Sequence, residues 1–187
     1  KVQNTWDAHT PQGKITAKNI IFAINGHISN FGFYKKQLLH IFTYSSLSKK
    51  INNNIIKGYP SWGLTSSNPI GTTVRKIKVD ENYSRLLIRN TWKCRQNLES
   101  SNSDFENSCR KHRRSYIERF PNLKNTPFEF SWGGRVCLSL NGVPAFGELD
   151  ENLYSACCSN GLGTVKGTLA GKLIIDKACK SNSSQLD

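Results

Sequence analysis

Four glycines follow a short apolar segment in SACCSNGLGTVKGTLAGK, residues 155–172, and this stretch constrains the fold more than any other. The apolar residues LYSACC predict a buried strand, and residues 168–180 predict a helix. A glycine turn between a strand and a helix exposes backbone N–H groups at the helix N-terminus, where a partial positive charge favours anionic or electron-rich oxygen. A purely structural turn would use the same residues, so the spacing leaves both explanations open.

Two familiar phosphate-binding motifs do not fit this glycine run. The dinucleotide fingerprint G-x-G-x-x-G needs its third glycine where Lys166 stands, and it needs a second strand carrying an acidic residue about 20 positions later. The P-loop needs four residues between its first glycine and Gly-Lys, whereas GTLAGK has three, and Lys172 is followed by leucine. The sequence therefore excludes both motifs at this position.

The rest of the chain carries mainly strand patterns. The run Ile20–Ala23 has no polar alternation, which predicts a strand covered on both faces. A strand pair is predicted before it, at Val2–Trp6 and Lys14–Ala17, around the turn HTPQG. Further strands are predicted at FEFSW and RVCLSL, and a hairpin at TVRKIKV and SRLLIRN around DENY. These patterns predict a mixed α/β (α+β) chain with an antiparallel insert.

Alternation also assigns faces within these strands. In TVRKIKV, Ile77 and Val79 share a face with Arg75, and the two lysines take the other face. In RVCLSL the shared face is Val136, Leu138 and Leu140.

A basic helix accounts for much of the net charge of +13. Ser103 and Glu106 form a capping box for a helix starting near Asp104, and RKHRR follows at residues 110–114. The cations lie mostly off the apolar stripe, which indicates a solvated face; steering of an anionic substrate and nucleic-acid binding are the alternatives. No zinc finger or RNP motif supports the last of these. The stripe comprises Phe105, Cys109, His112, Tyr116 and Phe120, so His112 is predicted to pack in the core.

Composition narrows the class of protein. No apolar run approaches the ~20 residues that span a bilayer. The six cysteines contain no CxxC pair and no histidine at metal spacing, which predicts reduced thiols, a cytoplasmic location and no metal site. The chain contains no methionine and starts within a strand pattern, which predicts the back part of a longer protein.

Three segments in order resemble the C-terminal part of FAD-dependent oxidoreductases of the D-amino-acid oxidase (DAO) family, most closely its gamma-glutamylputrescine oxidase-like members. They are VQNTWDAHTPQGKITAKNIIFAINGHI, FSWGGRVCLSLNGVPAFGEL and LYSACCSNGLGTVKGTLAGKLIID. The resemblance implies a two-domain flavoprotein oxidase fold. Its FAD-binding segments would be residues 1–33 and 128–180, its antiparallel-sheet substrate domain residues 34–127, and its tail residues 181–187.

The resemblance also implies site residues. Backbone N–H groups facing the pyrimidine edge of the flavin ring are expected at Gly161, Leu162, Gly163 and Thr164. The segment beside the ring is expected at Trp132, Gly133 and Gly134. Arg135 is a weak candidate for a substrate carboxylate, because related oxidases place an arginine two residues after the glycine of the motif and here it follows Gly134 directly. A surface arginine at the end of a strand explains Arg135 equally well.

The implied function is oxidation of the C–N bond of a small amine or amino acid, by hydride transfer to N5 of FAD. No catalytic residue is identified. The FAD diphosphate loop is expected in an N-terminal half that this chain lacks, so the chain is predicted to be inactive alone and to need that half as its partner. No membrane partner is expected, because no apolar run is long enough to span a bilayer, and the lack of a recognisable reading module disfavours nucleic acid as a partner. The alternative is a non-catalytic basic module that binds nucleic acid or another polyanion through RKHRR.

Overall fold

A computed structural model describes residues 5–68 and 71–179. Within them the chain divides into two compact units. Unit 1 contains residues 5–40 and 136–179, and unit 2 contains residues 41–68 and 71–135. The predicted tail at residues 181–187, and the start of the first predicted strand at Val2, lie outside the described residues. The domain roles predicted for residues 1–33, 34–127 and 128–180 stay predictions.

Strands dominate the described ranges, with two α-helices and two short 3-10 helices. The strands are β1 Trp6–Thr10, β2 Gly13–Ala17, β3 Ile20–Phe22, β4 Leu38–Ser48, β5 Ile51–Asn52, β6 Trp62–Leu64, β7 Thr73–Lys78, β8 Tyr83–Cys94, β9 Phe128–Ser139, β10 Ala145–Asp150 and β11 Leu153–Cys157. The helices are α1 Asn102–Arg119 and α2 Gly163–Ala178, and the 3-10 helices are Asn25–Phe31 and Pro121–Leu123. Neither α-helix is long and apolar enough to cross a membrane.

Unit 1 begins with an antiparallel hairpin of β1 and β2, in which Trp6 pairs with Ala17 and Thr10 with Gly13. β1 therefore begins at Trp6, which is the last residue of the predicted strand Val2–Trp6. The turn of the hairpin contains only the two residues between Thr10 and Gly13. A second sheet has the order β10-β11-β3, with β11 antiparallel to β10 and parallel to β3. The three residues of β3 are half-buried, so the prediction of full cover on both faces is wrong within unit 1.

The core of unit 1 forms around β11 and the neighbouring segments. Its buried members are Ile28, Cys137, Ala145, Cys157 and Cys158. Helix α2 packs on β11 and buries Ile174, and its other apolar residues stay more exposed. This arrangement carries the predicted strand, glycine turn and helix in one compact unit.

Unit 2 is built on a sheet of order β6-β7-β8-β4-β9, with β5 paired to β8. The predicted hairpin of β7 and β8 is confirmed, and its strands are antiparallel. Helix α1 packs against β8. The buried apolar side chains between helix and sheet are Ile51, Ile56, Val74, Leu86, Ile88, Tyr116 and Leu123. The observed architecture is thus the mixed α/β class with an antiparallel insert that the sequence predicts.

In β7 the buried face carries Lys76 and the exposed face carries Ile77, the opposite of what hydrophobicity alone predicts. Val74 and Lys76 are buried, whereas Ile77 is exposed. The cross-strand partners explain this, since Val74 lies opposite Ile88 and Lys76 opposite Leu86, which are both fully buried. The Lys76 ammonium donates to the Ile56 carbonyl at 2.9 Å, so its aliphatic stem packs in the core while its charge is hydrogen-bonded.

Helix α1 starts at a different cap from the predicted one. The N-cap is Ser101, whose hydroxyl accepts the Asp104 N–H at 3.2 Å, so the predicted capping box of Ser103 and Glu106 is wrong by two residues. The Asp104 carboxylate pairs with the Arg95 guanidinium, which holds the pKa of Asp104 below its usual value. This ion pair fixes the first turn of α1 against the end of β8.

Candidate functional site

The glycine turn of unit 1 is a sharp reversal between β11 and α2. Cys158, Asn160 and Gly161 all have positive φ angles, at 53°, 53° and 79°. Left-handed backbone is costly for most side chains, and glycine and asparagine tolerate it best. Gly161 is therefore required by the turn itself, whatever else it contacts.

The side chain of Asn160 ties this turn to another part of unit 1. Its Oδ1 accepts the Ser139 N–H at 2.7 Å, and its Nδ2 donates to the Gly142 carbonyl at 3.0 Å. Sequence reasoning missed this residue. The available signal was an asparagine next to a glycine, a pair that favours left-handed turns and local side-chain bonding. Asn160 thus positions the start of α2 without being exposed itself.

Helix α2 begins without a side-chain cap. Its N-cap is Leu162, and no side chain of a described residue caps the helix. The Leu162 N–H donates to the Ser159 carbonyl at 3.0 Å, so the backbone donors open to a ligand are those of neighbouring residues. Gly161, Leu162, Gly163 and Thr164 are all exposed. An uncapped, exposed helix start of this kind presents N–H groups and a partial positive charge to an electron-rich ligand.

Space around Gly163 is open. A Cβ atom built there would meet nothing within 4 Å in the described structure, and its φ angle is not positive. Neither contacts nor backbone conformation within the described residues therefore requires glycine at position 163, in contrast to Gly161.

Unit 2 carries the tryptophan–glycine segment on β9. Trp132 is exposed, and a Cβ atom at Gly133 would lie 2.3 Å from the Phe42 ring. Gly133 is thus explained by packing against Phe42. The Gly134 carbonyl accepts a long hydrogen bond of 3.5 Å from the Thr43 hydroxyl, and a Cβ atom at Gly134 would meet nothing within 4 Å.

Arg135 is anchored within unit 2. Its Nε donates to the Leu98 carbonyl at 2.5 Å, and its guanidinium carbon lies 5.7 Å from the centre of the Phe42 ring. These contacts orient the side chain while leaving it exposed at the strand. Its role toward a substrate carboxylate stays a prediction.

A buried histidine lies beside two serines in unit 2 but has no access to solvent. His112 Nδ1 lies 2.8 Å from Ser46 Oγ, which lies 2.8 Å from Ser131 Oγ. Burial lowers the pKa of His112 to about 4. Because His112 is fully buried, the prediction that it packs in the core is confirmed. Residues 5–68 and 71–179 contain no cluster of three or more potential metal ligands.

The chain is similar to known proteins both in sequence and in fold. No protein-family model matches the chain. The chain is 37% identical over 60 residues to gamma-glutamylputrescine oxidoreductase of Escherichia coli, across 32% of this chain and 14% of that protein. It is 30% identical over 64 residues to the probable oxidoreductase OrdL of Haemophilus influenzae, across 34% of this chain and 15% of that protein.

Solved structures match over nearly the whole chain. Glycine oxidase from Bacillus cereus has a TM-score of 0.74 and 15% identity, over 100% of this chain and 49% of that chain. Amadoriase I, a fructosyl amine:oxygen oxidoreductase from Aspergillus fumigatus, has a TM-score of 0.71 and 16% identity, over 95% of this chain and 43% of that chain. The chain spans less than half the length of these proteins. The fold is therefore that of glycine oxidase-like flavoprotein oxidases, and the predicted resemblance to the D-amino-acid oxidase family is confirmed.

Proposed function

We propose that this chain forms part of an FAD-dependent oxidoreductase that oxidises the C–N bond of a small amine or amino acid. The observation that carries the proposal is the sequence similarity to gamma-glutamylputrescine oxidoreductase on a chain with a glycine oxidase fold. When bound, the flavin supplies the chemistry by accepting a hydride from the substrate carbon at N5. The chain's own residues bind and orient the reactants.

The start of α2 fits the pyrimidine edge of a flavin. Backbone N–H groups near Gly163 and Thr164 are exposed and uncapped, and a Cβ atom at Gly163 would lie in open space. In the proposal these groups would face the pyrimidine edge of a bound flavin and would stabilise negative charge on its oxygen and nitrogen atoms, as an oxyanion hole does. Asn160 acts on this site as a positioning residue, since its side-chain amide holds the turn to Ser139 and Gly142.

Three residues of unit 2 also have roles in the proposal. Trp132 is exposed and offers a flat apolar surface, and Gly134 leaves the neighbouring backbone open. We assign these two residues to the segment beside the flavin ring. Arg135, held by the Leu98 carbonyl, is our candidate to pair with a substrate carboxylate. We assign no catalytic base in this chain.

The chain contains no G-x-G-x-x-G loop, the element that commonly holds the diphosphate of a dinucleotide cofactor. We therefore propose that the chain functions together with a further part of the same protein that supplies this loop. The flavin ring would then be the part of the cofactor that this chain contacts.

The experiment that tests the proposed function uses the complete protein loaded with FAD. Small amines and amino acids are mixed with it in the absence of oxygen, and the yellow colour of the oxidised flavin is followed. We expect at least one such compound to bleach the colour, and oxygen or another electron acceptor to restore it. A protein that holds no flavin, and that is instead retained on nucleic acid in a strongly salt-dependent way, would favour the basic-module alternative.

A further inference from the structure

Unit 2 contains a cavity of about 270 Å³ beside α1 that plays no part in the proposed flavin chemistry. It lies where one face of α1 meets residues from the segment before β7 and from β8. The residues on which the following argument depends are Thr72, Asn90, Lys111, Arg114, Ser115 and Glu118.

The floor of the cavity presents a hydroxyl group held in place. Ser115 is buried, and its Oγ lies 3.1 Å from Thr72 Oγ1. Arg119 Nη1 donates to the Ser115 Oγ at 2.5 Å. Because the hydrogen bond between Ser115 and Thr72 uses one of their two hydroxyl hydrogens, the remaining hydroxyl hydrogen is the donor that this pair offers to a ligand.

An amide adds a further donor. The Asn90 Oδ1 accepts a hydrogen bond from the Thr91 hydroxyl at 2.9 Å. This bond engages the oxygen end of the Asn90 amide. The NH₂ end of Asn90 is therefore the end available to the cavity.

Two cations of α1 complete the lining. Arg114 Nε pairs with Glu118 Oε1 at 3.2 Å, and both side chains are exposed, so this i,i+4 pair is weak and leaves further guanidinium N–H groups unused. Lys111 makes no hydrogen bond or ion pair within residues 5–68 and 71–179. The cavity thus combines the Lys111 ammonium, a guanidinium with unused N–H groups and two neutral donors with one carboxylate, and its three charged side chains leave one net positive charge.

We propose that this cavity binds the phosphate group of a small molecule. Several donors converging from three chain segments suit an anion with several oxygen atoms, and the net positive charge of the lining attracts such an anion. The volume lies just below the usual range for larger organic ligands, which favours a phosphate or a short phosphomonoester over a nucleotide. A concave cavity is also unlike the extended ridge of charge that follows a nucleic-acid backbone.

The basic segment 110–114 supports this assignment because its other cations are occupied. Arg113 donates to the main-chain carbonyls of Thr126 and Lys124 and so fixes the segment after α1. Arg110 donates to Asn107 Oδ1 at 2.5 Å on the exposed face of the helix. Only Lys111 and Arg114 of this segment line the cavity.

Calorimetric titration of the complete, FAD-loaded protein with inorganic phosphate, at constant ionic strength, tests the proposal. We expect saturable binding, weakened at least about tenfold by Lys111→Gln, as expected for loss of a charge-assisted hydrogen bond. Arg110→Gln is the matched control, because it removes the same charge from the same helix outside the cavity, and we expect a change of less than about twofold.

Three outcomes would overturn the proposal. The first is the absence of saturable phosphate binding by the parent protein. The second is equal weakening by Lys111→Gln and Arg110→Gln, which would indicate a general electrostatic effect. The third is binding of a single-stranded oligonucleotide that both variants weaken equally and that phosphate does not displace, which would assign the whole helix face to a polyanion. Circular dichroism of each variant confirms that α1 is intact.

Discussion

Lowering the pH from 7 to 4 is expected to reduce the free energy of unfolding by about 3 kcal/mol through His112 alone. The imidazole is fully buried beside Ser46, and burial lowers its pKa from 6.5 to about 4. Between these two values the unfolded chain binds a proton at this residue and the folded chain does not. Stability from the neutral imidazole is therefore present above pH 6.5 and is lost as the pH falls toward 4.

Urea denaturation across this pH range measures the effect. His112→Gln should unfold more easily at pH 7 but should lose most of the pH dependence attributed to this residue. His9→Gln, a matched change of an exposed histidine, should keep the pH dependence of the parent chain. If His112→Gln does not fold, titration of the His112 ring by NMR in the parent chain serves instead. A ring pKa near 6.5, or parallel pH profiles for all three proteins, would contradict this account of the core.

The second large effect is expected at the start of α2. Gly163→Val should reduce the flavin content of the complete, FAD-loaded protein at least about tenfold, because a side chain there would project from backbone that we propose to lie against the ring. The folded chain itself leaves room for this side chain, since nothing lies within 4 Å of a Cβ atom at Gly163. The loss should therefore appear in cofactor binding much more than in unfolding of the apoprotein.

Gly171→Val is the matched control for this experiment. It makes the same substitution on the same helix, and a Cβ atom at Gly171 also meets nothing within 4 Å. We expect this variant to keep its flavin. Equal flavin content in the Gly163 variant and the parent would remove the cofactor role of the helix start and leave only a structural turn.

Local patterns predicted most elements of the fold, and the departures have identifiable causes. The hairpin of β7 and β8 and the strand β11 follow from alternation and from an apolar run. Helix α2 starts at Gly163 rather than at residue 168. The glycines lower the helix propensity of this segment, whereas packing of the helix on β11 stabilises it in the fold.

Which face of a strand is buried depended on partners that are distant in sequence. The alternating pattern correctly placed Lys76 and Ile77 on opposite faces of β7. The fully buried Leu86 and Ile88 on the paired strand β8 determine that the face with Lys76 is the buried one. In β9 the residue that enters the core of unit 1 is Cys137, between Val136 and Leu138, which are only half-buried.

The residues of the candidate site were predicted from the resemblance to flavin-dependent oxidoreductases more than from the spacing of residues in the sequence. The glycine spacing alone left a structural turn and a ligand site equally open. The structure explains Gly161 by its positive φ angle and shows no contact that requires glycine at position 163, whose role toward a ligand stays a proposal. Asn160 could not be identified in advance, because its partners Ser139 and Gly142 are about twenty residues away and meet it only in the folded unit.

The most direct test of the central claim is the flavin content of two preparations, compared by absorbance and by activity toward the amine or amino acid that bleaches the complete protein. We predict that the complete protein is yellow and active, and that the 187-residue chain alone, which contains no diphosphate loop, is colourless and inactive. A yellow, active 187-residue chain would contradict the proposed division of the cofactor site. A complete protein that binds no flavin at all would contradict the proposed function itself.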